Sequence, residues 1–390
     1  MILLQIVFWL CWLLVVHSYA LFPIILSLLI GQKRNNSIVY SRSEDLPQVD
    51  ILLAVYNEEV VIDKKIQSTF NTNYPLDKIR FYIGSDHSTD ATNGIIERYR
   101  SLYPQLSLTV FAGRTGKPNI INRLVENSSS PVLVLTDANV FFYPDTIYEL
   151  VKHYKNDEIA VVGGNLVNEH HSKEGIAVQE NEYLKRENTI KYQEGVLWGA
   201  MIGAFGGCFA IRRDQYQPAP ATHIVDDFYI SMSVFKNGKK AINELSAVYY
   251  EDITDKIKEE FRRKVRISIG NFQNLQSLGS LLWPITSGLA FSFISHKILR
   301  WLSPVFIITA LLVNLFLLSV HDLYKLTFIG QLALLVIPFV DVLLKKINIH
   351  ISLLRFVSHF YVMNLALLMG LVNYMTGVKT NIWKPTERNT

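Results

Sequence analysis

Two adjacent acids, Asp226 and Asp227, stand directly before an apolar stretch, Phe228-Tyr229-Ile230. A carboxylate placed this way suits general base work, taking the proton from a hydroxyl as it attacks. The same acids suit the first turn of a helix, where negative charge meets the positive end of the helix dipole. The two readings are compatible, because a helix N-terminus keeps a carboxylate ionised. Upstream, Gly116-Lys117 combines close backbone approach with a point positive charge, which fits an anion. It is not a Walker loop, since that spacing and the Ser or Thr after the lysine are absent. Asp86 and Asp137 each follow an apolar run. By residue type alone Asp86 is equally an Asx-turn or helix-cap residue, and Tyr56 and Glu58 are loop residues.

A sheet must position these residues. Val49 to Tyr56 is an apolar run that fits a buried parallel strand, and Phe81 to Gly84, Leu106 to Phe111, Val132 to Leu135 and Ala160 to Gly163 repeat it. Helical periods fill Val60 to Asn71, Thr89 to Tyr103 and Pro118 to Asn127. Strands alternating with helices predict an α/β fold, a mostly parallel sheet with helices on both faces. Such sheets bind ligands beyond the carboxyl ends of their strands, where the acids fall.

The ends of the chain are of another kind. Of the 390 residues 49% are hydrophobic, mean hydropathy is +0.20, and the apolar runs concentrate at the two termini. Ile2 to Ile30 carries no charged residue, long enough to span a bilayer. A signal peptide ending near Ser18-Tyr19-Ala20 is the rival, weakened by the absence of a basic n-region. Lys33 and Arg34 put the following domain in the cytosol. The predicted organisation is a transmembrane helix over 1–31, a cytosolic α/β domain over 32–250, amphipathic or interfacial helices over 251–300, three transmembrane helices over 301–377 and a tail over 378–390. The three spans fall at Leu302 to Val320, Leu326 to Leu344 and Ile351 to Tyr374. Leu278 to His296, broken by Gly279, Pro284 and Gly288, reads as interfacial or re-entrant. Plain counting leaves the C-terminus outside, against the preference of Lys379, Lys384 and Arg388 for the cytosol. The two cysteines, Cys11 and Cys208, form no disulfide framework or metal knuckle, which favours a reducing compartment. The net charge of +4 is modest and compatible with an anionic leaflet or ligand.

In order, Val55-Tyr56-Asn57-Glu58-Glu59, Ser85-Asp86-His87-Ser88-Thr89-Asp90, Gly116-Lys117, Thr136-Asp137-Ala138-Asn139, Val225-Asp226-Asp227 and Arg262-Arg263-Lys264-Val265-Arg266 resemble the signatures of the family 2 glycosyltransferases. The resemblance runs from residue 50 to residue 275. It implies a GT-A fold, Rossmann-like, and inverting transfer of a sugar from a nucleotide diphosphate. It implies Asp86 on the nucleoside, with Tyr56 stacking on the base and Glu58 reaching the nucleoside, and Lys117 on the diphosphate. Asp137 becomes the main ligand of Mg²⁺ or Mn²⁺. Asn139 is a weaker, neutral oxygen where the family has a second Asp. A hard divalent cation tolerates so few protein carboxylates when phosphates complete its shell. Asp227 becomes the catalytic base beside Asp226. Gly206 and Gly207 let an acceptor sugar approach the backbone. Trp198 stacks on that sugar or serves as a core residue at a tight turn. Arg263 and Arg266 meet the diphosphate, or belong to a basic helix on the membrane surface.

Several positions depart from the family pattern. Ser85 and His87 replace its Asp and Gly, which leaves the base open. Ile267 and Arg262 replace its Trp and Gln, which leaves processivity open. Ser295-His296-Lys297-Ile298-Leu299-Arg300-Trp301 resembles a junction of the polymer-making members. The resemblance points toward the poly-N-acetylglucosamine, hyaluronan and cellulose synthases. The expected function is transfer from a nucleotide-diphosphate sugar, a UDP-sugar first, to a growing cell-surface or extracellular polysaccharide at a bacterial inner membrane. The rival is single transfer to a lipid-linked acceptor; a non-catalytic sugar-binding or transport component is more remote. The expected partners are the donor, a glycan or lipid-linked acceptor, the bilayer, and export or accessory subunits, with no nucleic acid.

Overall fold

The computed structural model describes residues 1–167, 176–251, 257–347, 349 and 351–377, the side chains of 176–180 and 257–259 excepted. The chain divides into two units. One is α/β, Leu26–Asp255 with Gln276–Ala290; the other is helical, Met1–Ile25, Lys256–Leu275 and Phe291–Val378. The tail cations Lys379, Lys384 and Arg388 lie outside the described residues.

The N-terminal apolar run forms α1 (Ile2–Val16), a π-helical turn (His17–Leu21) and α2 (Phe22–Ile30). The first α/β elements are β1 (Val49–Val55), α3 (Ile62–Phe70), β2 (Ile79–Ser85), α4 (Thr92–Arg100), β3 (Leu106–Val110), α5 (Lys117–Asn127) and β4 (Val132–Thr136). Each falls within a few residues of the sequence reading. In β1, Ile51, Leu53 and Val55 pack on one face of the sheet with Ile62, Ile66 and Phe70 of α3. Leu52 points to the other face, toward Ile120 and Leu124 of α5. The strand period of two thus feeds two cores, so both faces are covered.

The second half departs from simple alternation. It comprises β5 (Val140–Phe142), α6 (Thr146–Val151), β6 (Ile159–Val167), α7 (Ile176–Trp198), β7 (Cys208–Arg212), α8 (Asp226–Ser233) and β8 (Lys240–Glu251). The eight strands form one sheet in the order β3-β2-β1-β4-β7-β6-β8-β5. The strands from β3 to β4 in that order are parallel, whereas β7 runs antiparallel to both β4 and β6. Alternation did not foretell that reversal, because β7 is reached through a long helix and a glycine-rich loop instead of a standard crossover.

The remaining helices are α9 (Ile257–Leu278), α10 (Gly288–Ser292), α11 (Leu299–Leu317), α12 (Asp322–Lys346) and α13 (Ser352–Met375). Among the described residues, four helical stretches are long and apolar enough to cross a membrane: Ile2–Ile30, Gly288–Leu317, Asp322–Lys346 and Ser352–Met375. The second begins earlier than the expected Leu302. Gly279 and Pro284 fall in the connection after α9, and a continuous helix starts at Gly288. Leu278 to His296 therefore adds no separate crossing helix. Inside the helical unit, Ser303 donates to the Asn364 Oδ1 at 2.5 Å and Asn314 to Thr327 at 3.1 Å, the kind of interhelical polar contact that replaces hydrophobic driving force in lipid.

Gly84 lets α5 approach β2. A Cβ there would collide with the Ile120 Cγ2 and stand 3.3 Å from the Phe111 ring. Gly84→Ala is expected to cost about 1–3 kcal/mol by overpacking. Gly94→Ala, in α4 with open space around it, is expected to be neutral or stabilising by up to about 1 kcal/mol. Thermal unfolding of the two variants in detergent checks the contrast.

Candidate active site

The loops after β1 and β2 interlock. Asn57 and His87 both hold left-handed backbone, with φ of +53° and +62°, a conformation that side chains other than glycine adopt at a cost. The Asn57 N–H donates to Ser88 Oγ at 3.1 Å, and the Thr89 N–H donates to Asn57 Oδ1 at 2.9 Å. The Glu58 N–H donates to Thr92 Oγ1 at 2.8 Å, and Glu58 is itself buried. Ser88 thus bridges two loops, while Asp90 accepts from the N–H groups of both Thr92 and Glu59.

Asp86, 3% exposed, is engaged by the loop before α5. It accepts from Arg114 Nε at 3.1 Å, from the Thr115 N–H at 2.5 Å and from the Gly116 N–H at 3.2 Å. The Arg114 guanidinium lies 3.4 Å from the centroid of the Tyr56 ring. Tyr56, Asp86 and the Gly-Lys loop therefore form one cluster. Arg114, assigned no firm role from sequence, is its hinge.

The second cluster lies at the ends of β4 and α8. Gly116, at φ +85°, turns the chain into α5, and Lys117 Nζ donates to Asp137 Oδ1 at 2.6 Å. Thr136 pairs with Cys208 across the antiparallel β4–β7 junction, and Thr136 Oγ1 donates to the Gly207 carbonyl at 2.9 Å. Asp226 and Asp227 occupy the first turn of α8. A Cβ on Gly206 would stand 2.5 Å from Asp227 Oδ2, so only glycine leaves room for that carboxylate. Lys117, Thr136, Gly206, Asp226 and Asp227 line one small cleft. Asn139 donates to Glu251 Oε1 at 2.9 Å. Trp198, half-buried, closes α7 with its ring against Gly288.

Charge shapes the cleft. Burial pushes the Asp227 carboxyl up to about 6; the Asp226 charge adds to this, and Lys117 opposes it. Burial works against the Lys117 ammonium, but Asp137, Asp226 and Asp227 outweigh it and hold the lysine protonated. Three carboxylates thus face one ammonium. A divalent cation fits such a donor set when a diphosphate supplies its remaining oxygens. Asp137 and Asn139 are the residues that would hold it. Among the described residues no group of three or more His, Cys, Asp or Glu side chains is arranged to hold a metal ion.

Of the residues singled out in the sequence, the structure brings together Tyr56 with Asp86, and Lys117 with Asp137, Asp226, Asp227, Gly206 and Gly207. Arg263 and Arg266 lie on α9 in the helical unit, where Arg263 meets Glu260 at 3.5 Å. Sequence reasoning missed Glu251, Lys65 and His223. His223 is a buried histidine whose pKa burial lowers and Asp226 raises. Its spacing of three from Asp226 was the available signal.

A family model described as Glycosyl transferase family 2 matches residues 50–217. Among curated proteins, the probable glycosyltransferase YdaM of Bacillus subtilis (strain 168) is 25% identical over 244 residues, 58% of this chain and 56% of its own length. The beta-monoglucosyldiacylglycerol synthase of Synechocystis sp. is 32% identical over 110 residues, 28% of this chain and 23% of its own length. The chain thus spans about half, or less, of these relatives. The solved structure of the mannosyltransferase PcManGT from Pyrobaculum calidifontis, in complex with GDP-Man and Mn²⁺, matches with a TM-score of 0.72 at 17% identity, covering 95% of this chain and 99% of that one. At that identity the likeness shows the fold, GT-A.

The raised Asp227 pKa has a consequence for stability. A carboxyl with a higher pKa folded than unfolded holds its proton more tightly in the folded state, so ionising it destabilises the fold. Nothing is lost below the ordinary value of 3.8, and the loss is complete above about 6. Asp227→Asn is therefore expected to melt at a higher temperature than wild type at pH 7, with the gap closing toward pH 4. Melting curves across that range check the sign.

Proposed function

The chain belongs to glycosyltransferase family 2 through its domain at residues 50–217, and from that premise we propose that it is an inverting glycosyltransferase. It moves a sugar from a nucleotide diphosphate to a glycan acceptor at a membrane. The observation that carries this reading is the convergence of Lys117, Asp137, Asp226 and Asp227 at one cleft. In the proposed reaction Asp227 takes the proton of the acceptor hydroxyl. The hydroxyl oxygen bonds to the anomeric carbon as the bond to the diphosphate breaks on the opposite side. Asp226 keeps its neighbour's proton affinity high, and Lys117 binds the departing diphosphate. Mg²⁺ or Mn²⁺, when bound through Asp137 and Asn139, offsets the charge growing on that leaving group. Asp86 and Tyr56 take the nucleoside once Arg114 yields its place between them, with Glu58 supporting their loop.

Gly206 and Gly207 face the acceptor in this reading. The flanking apolar helices and the Ser295 to Trp301 element favour a growing polysaccharide at a bacterial inner membrane, with the α/β unit in the cytosol beside Lys33 and Arg34. The donor and the polymer are left to experiment, as are any export or accessory subunits. A single transfer to a lipid acceptor is the second reading, favoured by the match to the beta-monoglucosyldiacylglycerol synthase. Incubating the purified protein with labelled UDP- and GDP-sugars separates the two: a ladder of lengthening product supports polymerisation, a single glycolipid supports the second reading, and no sugar transfer from any donor defeats both.

Asp227→Asn should lower transfer by about 10²–10⁴ while nucleotide binding stays within a few-fold, measured by turnover and calorimetry on the same preparation. In wild type, kcat/KM should rise with pH through about 6 and then level off.

Chelation should abolish transfer. Asn139→Asp adds a carboxylate beside Glu251, which now accepts from Asn139. The variant should bind Mn²⁺ more tightly in the presence of nucleotide and melt lower in its absence, because two adjacent carboxylates then repel. Mn²⁺ titrations and melting curves test both effects.

A further inference from the structure

Behind the Asp137 loop lies a lysine that the transfer chemistry does not use. Lys65 stands on α3 between residues of the apolar core and is 0% exposed. An aliphatic side chain would fill that face without the cost of desolvating an ammonium. Burial accordingly pushes Lys65 down to about 7, with Cys208 and Asp137 pulling the other way. Among the described residues no carboxylate pairs with it. Its Nζ instead donates to Thr136 Oγ1 at 2.8 Å and to the Val140 carbonyl at 2.7 Å, and it lies 3.7 Å from the centroid of the Phe142 ring.

Those two acceptors bracket Asp137-Ala138-Asn139, one closing β4 and the other opening β5. The loop's own backbone bonds are long: the Asp137 N–H reaches the Gly207 carbonyl at 3.4 Å, and the Val140 N–H reaches the Asp137 carbonyl at 3.3 Å. The shortest bonds across its base are those of Lys65. Thr136 Oγ1 accepts from Lys65 and donates to the Gly207 carbonyl at 2.9 Å, so one ammonium ties the loop to both strands and to the glycine turn beside Asp227. A loop with one carboxylate and one amide has little ligand charge to spare, and its affinity for a cation depends on how well those two oxygens are aimed.

We infer that Lys65 is a positioning residue: its ammonium clamps Thr136 and Val140 and thereby aims the Asp137 carboxylate and the Asn139 amide at a divalent cation. This rests on the metal-assisted reading above. The test uses the full chain in lipid nanodiscs, with Mn²⁺ binding followed by the loss of the free-ion paramagnetic resonance signal in the presence of UDP or GDP. Lys65→Met keeps the side-chain length and removes the donors. It should raise the Mn²⁺ dissociation constant by about 10-fold or more, and raise the Mn²⁺ concentration for half-maximal turnover by the same factor. Thr136→Val, which removes one of the two tethers, should move both in the same direction by less.

A lower melting temperature with unchanged Mn²⁺ affinity in Lys65→Met would show a purely structural lysine and overturn the inference. If Lys65→Met does not fold, Thr136→Val decides: unaltered Mn²⁺ affinity overturns the inference, and weakened affinity supports it. Wild-type protein that binds no Mn²⁺ with either nucleotide would instead defeat the metal reading, and this inference with it.

Discussion

The antiparallel entry of β7 beside β4 is the constraint on which the site depends. In a parallel pair the start of one strand lies beside the start of the other, so the segment before β7 would sit at the far edge of the sheet from Asp137. Reversal places the end of β4 against the beginning of β7, with Thr136 opposite Cys208. The Gly206-Gly207 turn is thereby brought to the same edge as the loop carrying Asp137. Glycine at both positions follows from the crowding there. A Cβ on Gly207 would stand 3.0 Å from the Tyr249 ring and 3.1 Å from Val140, and one on Gly206 would meet the Asp227 carboxylate. Acid loop, glycine turn and α8 are one packing problem, solved by strand direction and two missing side chains.

Electrostatics then makes the arrangement reactive. Asp137, Asp226 and Asp227 share one lysine, and their mutual repulsion is held by the fold instead of relieved by it. Burial, with the Asp226 charge adding to it, raises the proton affinity of Asp227 into the range where a base works near neutral pH. The Asp86 end is organised the opposite way. Asp86 is already satisfied by Arg114, Thr115 and Gly116, and Tyr56 is covered by the same guanidinium. One end of the site therefore gathers three carboxylates around one ammonium. The other holds a closed set of contacts centred on Asp86.

Much of this was legible in the sequence. The runs at β1, β2 and β4 identified the strands, and the acids that follow them fall at one edge of the sheet, as the carboxyl ends of parallel strands require. Asp226-Asp227 before Phe228-Tyr229-Ile230 announced a helix start, and α8 begins there. Three things escaped for physical reasons. The direction of β7 is set by tertiary pairing, and its own residues, Cys208-Phe209-Ala210-Ile211-Arg212, fit a buried strand of either sense. The start of a membrane-length helix at Gly288 was obscured because Gly and Pro nearby read as breaks, whereas they fall in the turn preceding it. Lys65 was invisible because a lysine at helical spacing looks like a solvated face, and only the three-dimensional position of Thr136 and Val140 shows why it is buried.

Asn139 shows how a departure from a family pattern can be balanced elsewhere in the fold. An aspartate at that position would bring a second negative charge to the loop. Here the position holds an amide, and the amide nitrogen donates to Glu251 at the end of β8. An amide can make that bond, whereas an ionised carboxylate has no hydrogen to donate. The β5–β8 pairing sets Val140 opposite Glu251, so the sheet fixes this neighbour as firmly as it fixes Thr136 against Cys208. Glu251 thus stands one hydrogen bond from the loop, on the strand paired with β5, and the asparagine spares the loop a second ionised group.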